Sequence, residues 1–381
     1  MGSLAQELFD VIIDQVPLQD TRSCSLVAKR WRERSQKRHF SSITFARECE
    51  VARWYTDIPQ DPNGIPSYAN DVTFRDFRWW RDPTLFSRVL KCFSRVKTLV
   101  ISKTGVIHDE LSNVVSHGEF RTQLTFLILV YPLCALPTLM LFILSFPNLR
   151  ELVVSGMTKM GPSLVPVPAP PDTVCRTGPL ESLKLSWLRS EVICSIARCG
   201  ITSRRIDLDV GYEMTENILA NSSEMAAELV LQGTGSLCNF SVGTRFTSSP
   251  DIRTPVRHSY AFFPANPFLS FPALTTIEVK VHSGFLSAPL ANLLPRIRSA
   301  PALSSITFEY PESTRAVEDV LSLLWVDVDK WLAWLATGAK SEGGLGVVLT
   351  PWPEEKSSVE GCLPEFRKAG GDLRVDAGIR S

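Results

Sequence analysis

Along most of the chain one apolar pattern recurs: an aliphatic residue, two others, a second aliphatic, one other, and a third. It stands as Val96-Leu99-Ile101, Leu124-Leu127-Leu129, Leu149-Leu152-Val154, Leu180-Leu183-Leu185, Leu274-Ile277-Val279 and Leu303-Ile306-Phe308. Weaker copies are Phe40-Ile43-Phe45, Ala69-Val72-Phe74, Ile206-Leu208 and Leu237-Phe240-Val242. The last two apolar positions of each copy are two apart, so both side chains fall on one face of a strand. The first turns inward from the preceding corner. Three copies share a lead-in: Phe146-Pro147-Asn148-Leu149, Phe271-Pro272-Ala273-Leu274 and Ala300-Pro301-Ala302-Leu303. One such unit buries little alone, so the units must stack and share a core. Between them Asp82–Phe93, Ser190–Cys199 and Pro289–Arg298 read as helices. Toward the end, Glu318–Ala336 forms an apolar helical stretch with Trp325, Trp331 and Trp334, interrupted by Asp327 and Asp329. Leu345-Val347-Leu349 is a further strand, and Leu363–Lys368 with Leu373-Val375 reads as a closing helix and strand.

The first residues follow another period. Ser3 with Gln6 three residues later makes a capping box. Leu4, Leu8, Val11 and Ile12 then recur at helical spacing, with Glu7, Asp10 and Asp14 between them. Pro17 stops this helix. Asp20 is the expected N-cap of a second helix carrying Cys24, Leu26 and Val27. A third runs from about Lys29 to Arg38, with Trp31 among basic residues that read as a solvated charged face. Isolated helices below roughly 12–15 residues are marginal in water, so these must pack on one another or on a partner.

Glu7-Leu8, Ile12-Ile13 and Ser25-Leu26-Val27-Ala28-Lys29-Arg30-Trp31 resemble the F-box motif. That family shows Leu-Pro-x-Glu-Leu, an aliphatic pair and Ser-Leu-Val-Cys-Arg-x-Trp at the same separations. Ala5 and Ala28 depart from it, standing where the family usually has Pro and often has Cys. Phe40–Phe45 is similar to the segment after the box in F-box proteins of the basidiomycete type. The resemblance covers about 40 residues. It implies a docking surface for a Skp-type adaptor of a cullin ubiquitin ligase, built from Leu4, Leu8, Ile12, Leu26, Val27 and Trp31. The recurring strand pattern resembles the L-x-x-L-x-L segment of leucine-rich repeats, at irregular intervals of roughly 23 to 37 residues against a usual 20–29. The regular Asn ladder of such repeats is missing. The expected fold is therefore α/β: a three-helix F-box-like module over residues 1–45, an irregular leucine-rich-repeat-like solenoid over 46–350, and a C-terminal cap over 351–381. The resemblance implies a substrate-recruiting adaptor, with an unidentified protein substrate on the repeat body. A repeat scaffold with no ubiquitin-ligase link, its N-terminal helices capping the array, is the alternative.

Composition narrows the field. Forty Lys and Arg balance forty Asp and Glu for a net charge of zero, against the basic footprint a nucleic-acid binder needs. The nine cysteines include no C-x-x-C pair, which fits free thiols in a reducing cytoplasmic or nuclear compartment. Leu124 to Leu149 holds no charged residue, long enough on that count to span a bilayer. Pro132, Pro137 and Pro147 interrupt it, and it reads instead as a strand, a turn, a buried helix and the next strand, with no membrane partner. Met160–Pro179, rich in proline, and Thr247–Pro267, with Phe262 and Phe263 near Pro264, read as exposed insertions. The histidines lack metal-ligand spacing and no nucleophile-elbow or phosphate-loop signature is present. The expectation is no enzyme, no metal and no cofactor.

Overall fold

The computed structural model describes residues 6–59, 61, 64–75, 83–102, 120–132, 136–156, 178–188, 190–212, 235–246, 269–281, 294, 297–310, 323–338, 344–351, 359 and 361–376. The chain divides into two compact units, Met1–Thr177 and Gly178–Ser381. Both are α/β, and among the described residues the strand ladders within each unit are parallel.

In the first unit three helices, α1 (Gln6–Gln15), α2 (Thr21–Val27) and α3 (Lys29–His39), lead into β1 (Ser42–Phe45). Then come α4 (Glu48–Asp57), β2 (Asp71–Arg75), α5 (Pro83–Cys92), β3 (Thr98–Ser102), α6 (Phe120–Gln123), β4 (Phe126–Val130), α7 (Leu136–Leu144) and β5 (Glu151–Ser155). The strands pair in chain order. In the second unit β6 (Leu180–Ser186), α8 (Ser190–Arg198), β7 (Ser203–Tyr212), β8 (Asn239–Phe246), β9 (Leu269–Ser270), β10 (Thr276–Val281), β11 (Ile297–Ser299) and β12 (Ser305–Glu309) come next. α9 (Leu323–Gly338), β13 (Gly346–Thr350), α10 (Pro364–Lys368) and β14 (Asp372–Val375) complete it. Here the order is β6-β7-β8-β10-β12-β13-β14, with β9 and β11 paired apart.

The apolar pattern sets the register. Val72 lies opposite Leu99, Leu99 opposite Leu127 and Leu127 opposite Leu152, with Phe74, Ile101, Leu129 and Val154 forming the parallel row. The second unit repeats this through Leu183, Ile206, Phe240, Ile277, Ile306, Val347 and Leu373. A one-residue slip would turn every one of these side chains to the other face, so burial fixes the pairing. The leading aliphatics Ala69, Val96, Leu124, Leu149, Leu180, Leu237, Leu274, Leu303 and Leu345 are all buried at the corners. In the shared lead-ins the chain closes a tight turn, Leu149 N–H donating to Phe146, Leu274 to Phe271 and Leu303 to Ala300. Proline at the second turn position supplies the required φ without losing a needed donor.

At many corners one carbonyl accepts two successive N–H groups of the next strand. Ser41 receives Asn70 and Asp71, Asn70 receives Lys97 and Thr98, Lys97 receives Thr125 and Phe126, and Thr125 receives Arg150 and Glu151. Cys238 and Thr275 do the same in the second unit. The corner donors are thus satisfied by main chain where an asparagine ladder is lacking.

The uncharged stretch from Leu124 to Leu149 becomes β4, α7 and the turn into β5. α7 is apolar nearly all round because nearly all of it is buried. Among the described residues no helix is long and apolar enough to cross a membrane. The helix expected over residues 289–298 fails at its end. The end of the supposed helix Pro289–Arg298 is strand β11, Ile297 pairing with Leu269; Pro295 stands where a helix interior would need an N–H. Residues 289–293 lie outside the described residues, as do 160–177 and 247–267 of the two insertions. The helix expected over residues 82–93 is α5, ending at Cys92, with residue 82 outside the described residues; Ser190–Cys199 is α8, ending one residue earlier. The N-terminal helices fall within the first unit, α3 leading into β1.

Candidate docking face of the N-terminal helices

α1 has two apolar faces. Phe9 and Ile13, four residues apart, point inward and are buried. Leu8, Val11 and Ile12 point outward and are 50%, 58% and 45% exposed. On α2, Leu26 and Val27 are 79% and 68% exposed, while Thr21 at its start is fully buried. Helices this small usually hide their large aliphatics, and singly exposed ones need no explanation. Five of them on two short helices are a different matter.

The outward set is fixed by the inward one. Phe9 packs on Trp31 of α3, ring centroids 5.7 Å apart. Trp31 is half-buried, and its indole N–H is enclosed without an acceptor. Arg34 of α3 grips Asp14 of α1 through two hydrogen bonds, one at 3.0 Å from Nε to Oδ1. This guanidinium holds the Asp14 carboxyl below the usual carboxylate range, first by hydrogen bonding and then by its charge. Arg38 donates to the carbonyl of Ile13. Lys37 pairs with Glu33 at 2.7 Å. Three cations of the basic helix are therefore spent within the module, two of them fastening α1 to α3.

At the entry to α2 the Asp20 side chain makes no capping bond, contrary to expectation. A 3₁₀ turn over Leu18–Asp20 feeds the helix directly. The Thr21 hydroxyl donates to Leu18 O at 2.7 Å and lies 3.3 Å from His39 Nδ1.

Of the six residues implied by the F-box resemblance, Leu8, Ile12, Leu26 and Val27 stand on the surface and Trp31 stands mainly inside. Leu4 lies outside the described residues, as does Ser3 of the expected capping box. Two outward residues were missed, Val11 as an exposed member and Leu18, which is 52% exposed. Phe9, the inward anchor, was also missed. Its four-residue spacing from Ile13 is matched by that of Leu8 from Ile12, so spacing did not single it out. A scan against protein-family models and a search of the curated proteins each found no match. Among the described residues no group of three or more His, Cys, Asp or Glu could hold a metal ion.

Proposed function

We propose that the chain is the substrate-recruiting subunit of a Skp–cullin–F-box type ubiquitin ligase. The observation that carries this reading is the outward set Leu8, Val11, Ile12, Leu26 and Val27, held in place by an inward set that uses different residues of the same helices. Large aliphatics in a small exposed area are what a protein partner desolvates for most of its binding energy. Leu8, Ile12, Leu26 and Val27 form the docking face for the adaptor, with Trp31 bracing it from below. The strands beyond the helices, in register and with buried corner aliphatics, support an irregular leucine-rich-repeat-like body that holds a protein substrate. The chain performs no chemistry on this reading. It raises the local concentration of substrate beside the ligase.

One observation favours the alternative, a repeat scaffold capped by its N-terminal helices. α3 runs into β1, and the Ser41 carbonyl between them accepts the Asn70 and Asp71 N–H groups, so the helices are joined to the array as a cap would be. The test is binding of the purified chain to a recombinant Skp-type adaptor, beside a Leu8→Ala/Leu26→Ala variant checked for folding by circular dichroism. Binding that the variant loses by a hundredfold or more, on the order of two hot-spot residues, supports adaptor docking. A folded wild type that fails to bind supports the scaffold.

A further inference from the structure

β1 is the terminal strand of the first unit's ladder, paired with β2 on one side and with no described strand on the other. Ser41 O accepts from Asp71 N–H on the β2 side. By the alternation of a parallel ladder, residues 41, 43 and 45 then direct their main-chain groups to β2, and residues 42, 44 and 46 direct theirs outward. The third outward donor is already used, since Ala46 N–H donates to Glu50 at 2.7 Å. Ser42 and Thr44 remain.

Native proteins blunt such an edge with charge, proline or a bulge. β14, the terminal strand of the second unit, is guarded in this way. Its exposed side chains are Asp372 and Arg374, paired at 2.8 Å. β1 has no guard: its exposed side chains are the neutral Ser42 and Thr44. Beside it lies a groove of about 850 Å3, lined among others by Leu18, Ser42, Thr44, Glu50, Arg53 and Trp54. This leaves room for one more strand.

We propose that this groove receives the β1 of a second copy of the chain, pairing antiparallel about a two-fold axis through Ile43. Ser42 then faces Thr44 of the second copy and Thr44 faces its Ser42. Each pair exchanges both of its hydrogen bonds, as directly opposed antiparallel residues do. The edge is self-complementary because its two free residues are spaced two apart. The rim of α4 carries both signs, Glu50 and Asp57 with Arg53, so it presents no single-sign barrier to a second copy. The chain's zero net charge sets up no long-range repulsion between copies.

Sedimentation equilibrium of the full chain over a wide concentration range tests this, beside Thr44→Pro and Thr44→Lys. Proline at residue 44 removes an outward N–H and leaves the β2 ladder whole, as proline on the solvent side of an edge strand does. Lysine sets like charges on either side of the two-fold and decides the matter if the proline variant fails to fold. The expected result is a wild-type mass rising toward twice the monomer, with the folded variants staying monomeric. A wild type that stays monomeric throughout, or variants that associate as strongly as it does, overturns the proposal.

Discussion

Asp329 lies on α9 and is buried, yet the carboxylate ends on another helix altogether. Its Oδ2 accepts Glu365 N–H at 3.0 Å and its Oδ1 accepts Phe366 N–H at 2.9 Å. These are first-turn donors of α10, which have no partner within that helix. Pro364 needs none, and Leu363 before it is held at φ 57°. Asp329→Ala strands both donors, one of them on the fully buried Phe366. A hydrogen bond to a charged group contributes about 1.5–3 kcal/mol, and water reaches part of the Glu365 site, so the loss is about 3 kcal/mol. At about 1.4 kcal/mol per tenfold, amide exchange at Phe366 and Arg367 should accelerate on the order of a hundredfold. Asp329→Asn keeps one acceptor oxygen and should fall about halfway. Hydrogen exchange resolved by mass spectrometry or NMR reads this directly in the intact chain. Unchanged exchange over α10 in the alanine variant would show that the carboxylate does not hold this end together.

The same structure sets three further expectations. Trp331→Phe removes the donor to Ile297 O, a buried bond of 3.0 Å, and should destabilise the second unit by about 1–3 kcal/mol in urea unfolding; no change in the midpoint refutes it. Gly156 sits at φ 77°, and a Cβ there would come within 2.5 Å of the Tyr131 ring, so Gly156→Ala should lower thermal stability by more than about 1 kcal/mol. The Asp14–Arg34 pair stabilises the α1–α3 packing above the ordinary carboxylate range, and that stabilisation disappears as pH falls through the lowered Asp14 value. Both side chains are about 40% exposed, so the effect stays within about 1 kcal/mol. Exchange protection of α1 should decline in acid, and Asp14→Asn should abolish the decline attributable to this pair.

The strands were legible because burial works on single side chains at fixed spacing. Leu127 and Leu129, or Ile277 and Val279, must share a face, and the sequence states this without any tertiary knowledge. The same logic resolved the uncharged stretch around α7, where prolines mark the changes of element. What the sequence hid was long-range. Asp329 reads as an interruption of an apolar helix, and only the approach of α10, more than thirty residues later, shows it to be a cap. Phe9 and Leu8 are neighbours of similar hydropathy. Their opposite fates are set by Trp31 on α3, so helical periodicity alone could not choose the inward one. Ile297 was assigned to a helix because its partner strand, Leu269–Ser270, is two residues long and carries no pattern of its own. The boundary between the two units falls at Thr177 and Gly178, inside the proline-rich stretch that the sequence marks as an insertion.

On the proposed function α1 and α2 are the docking face for a Skp-type adaptor. Hydrogen-exchange footprinting of the full chain with and without that adaptor tests it most directly. The expected result is complex formation with new protection concentrated on α1 and α2, around Leu8, Ile12, Leu26 and Val27, and little change in the β strands. A chain that forms no complex, or one whose protection falls on the strands and leaves both helices unchanged, contradicts it.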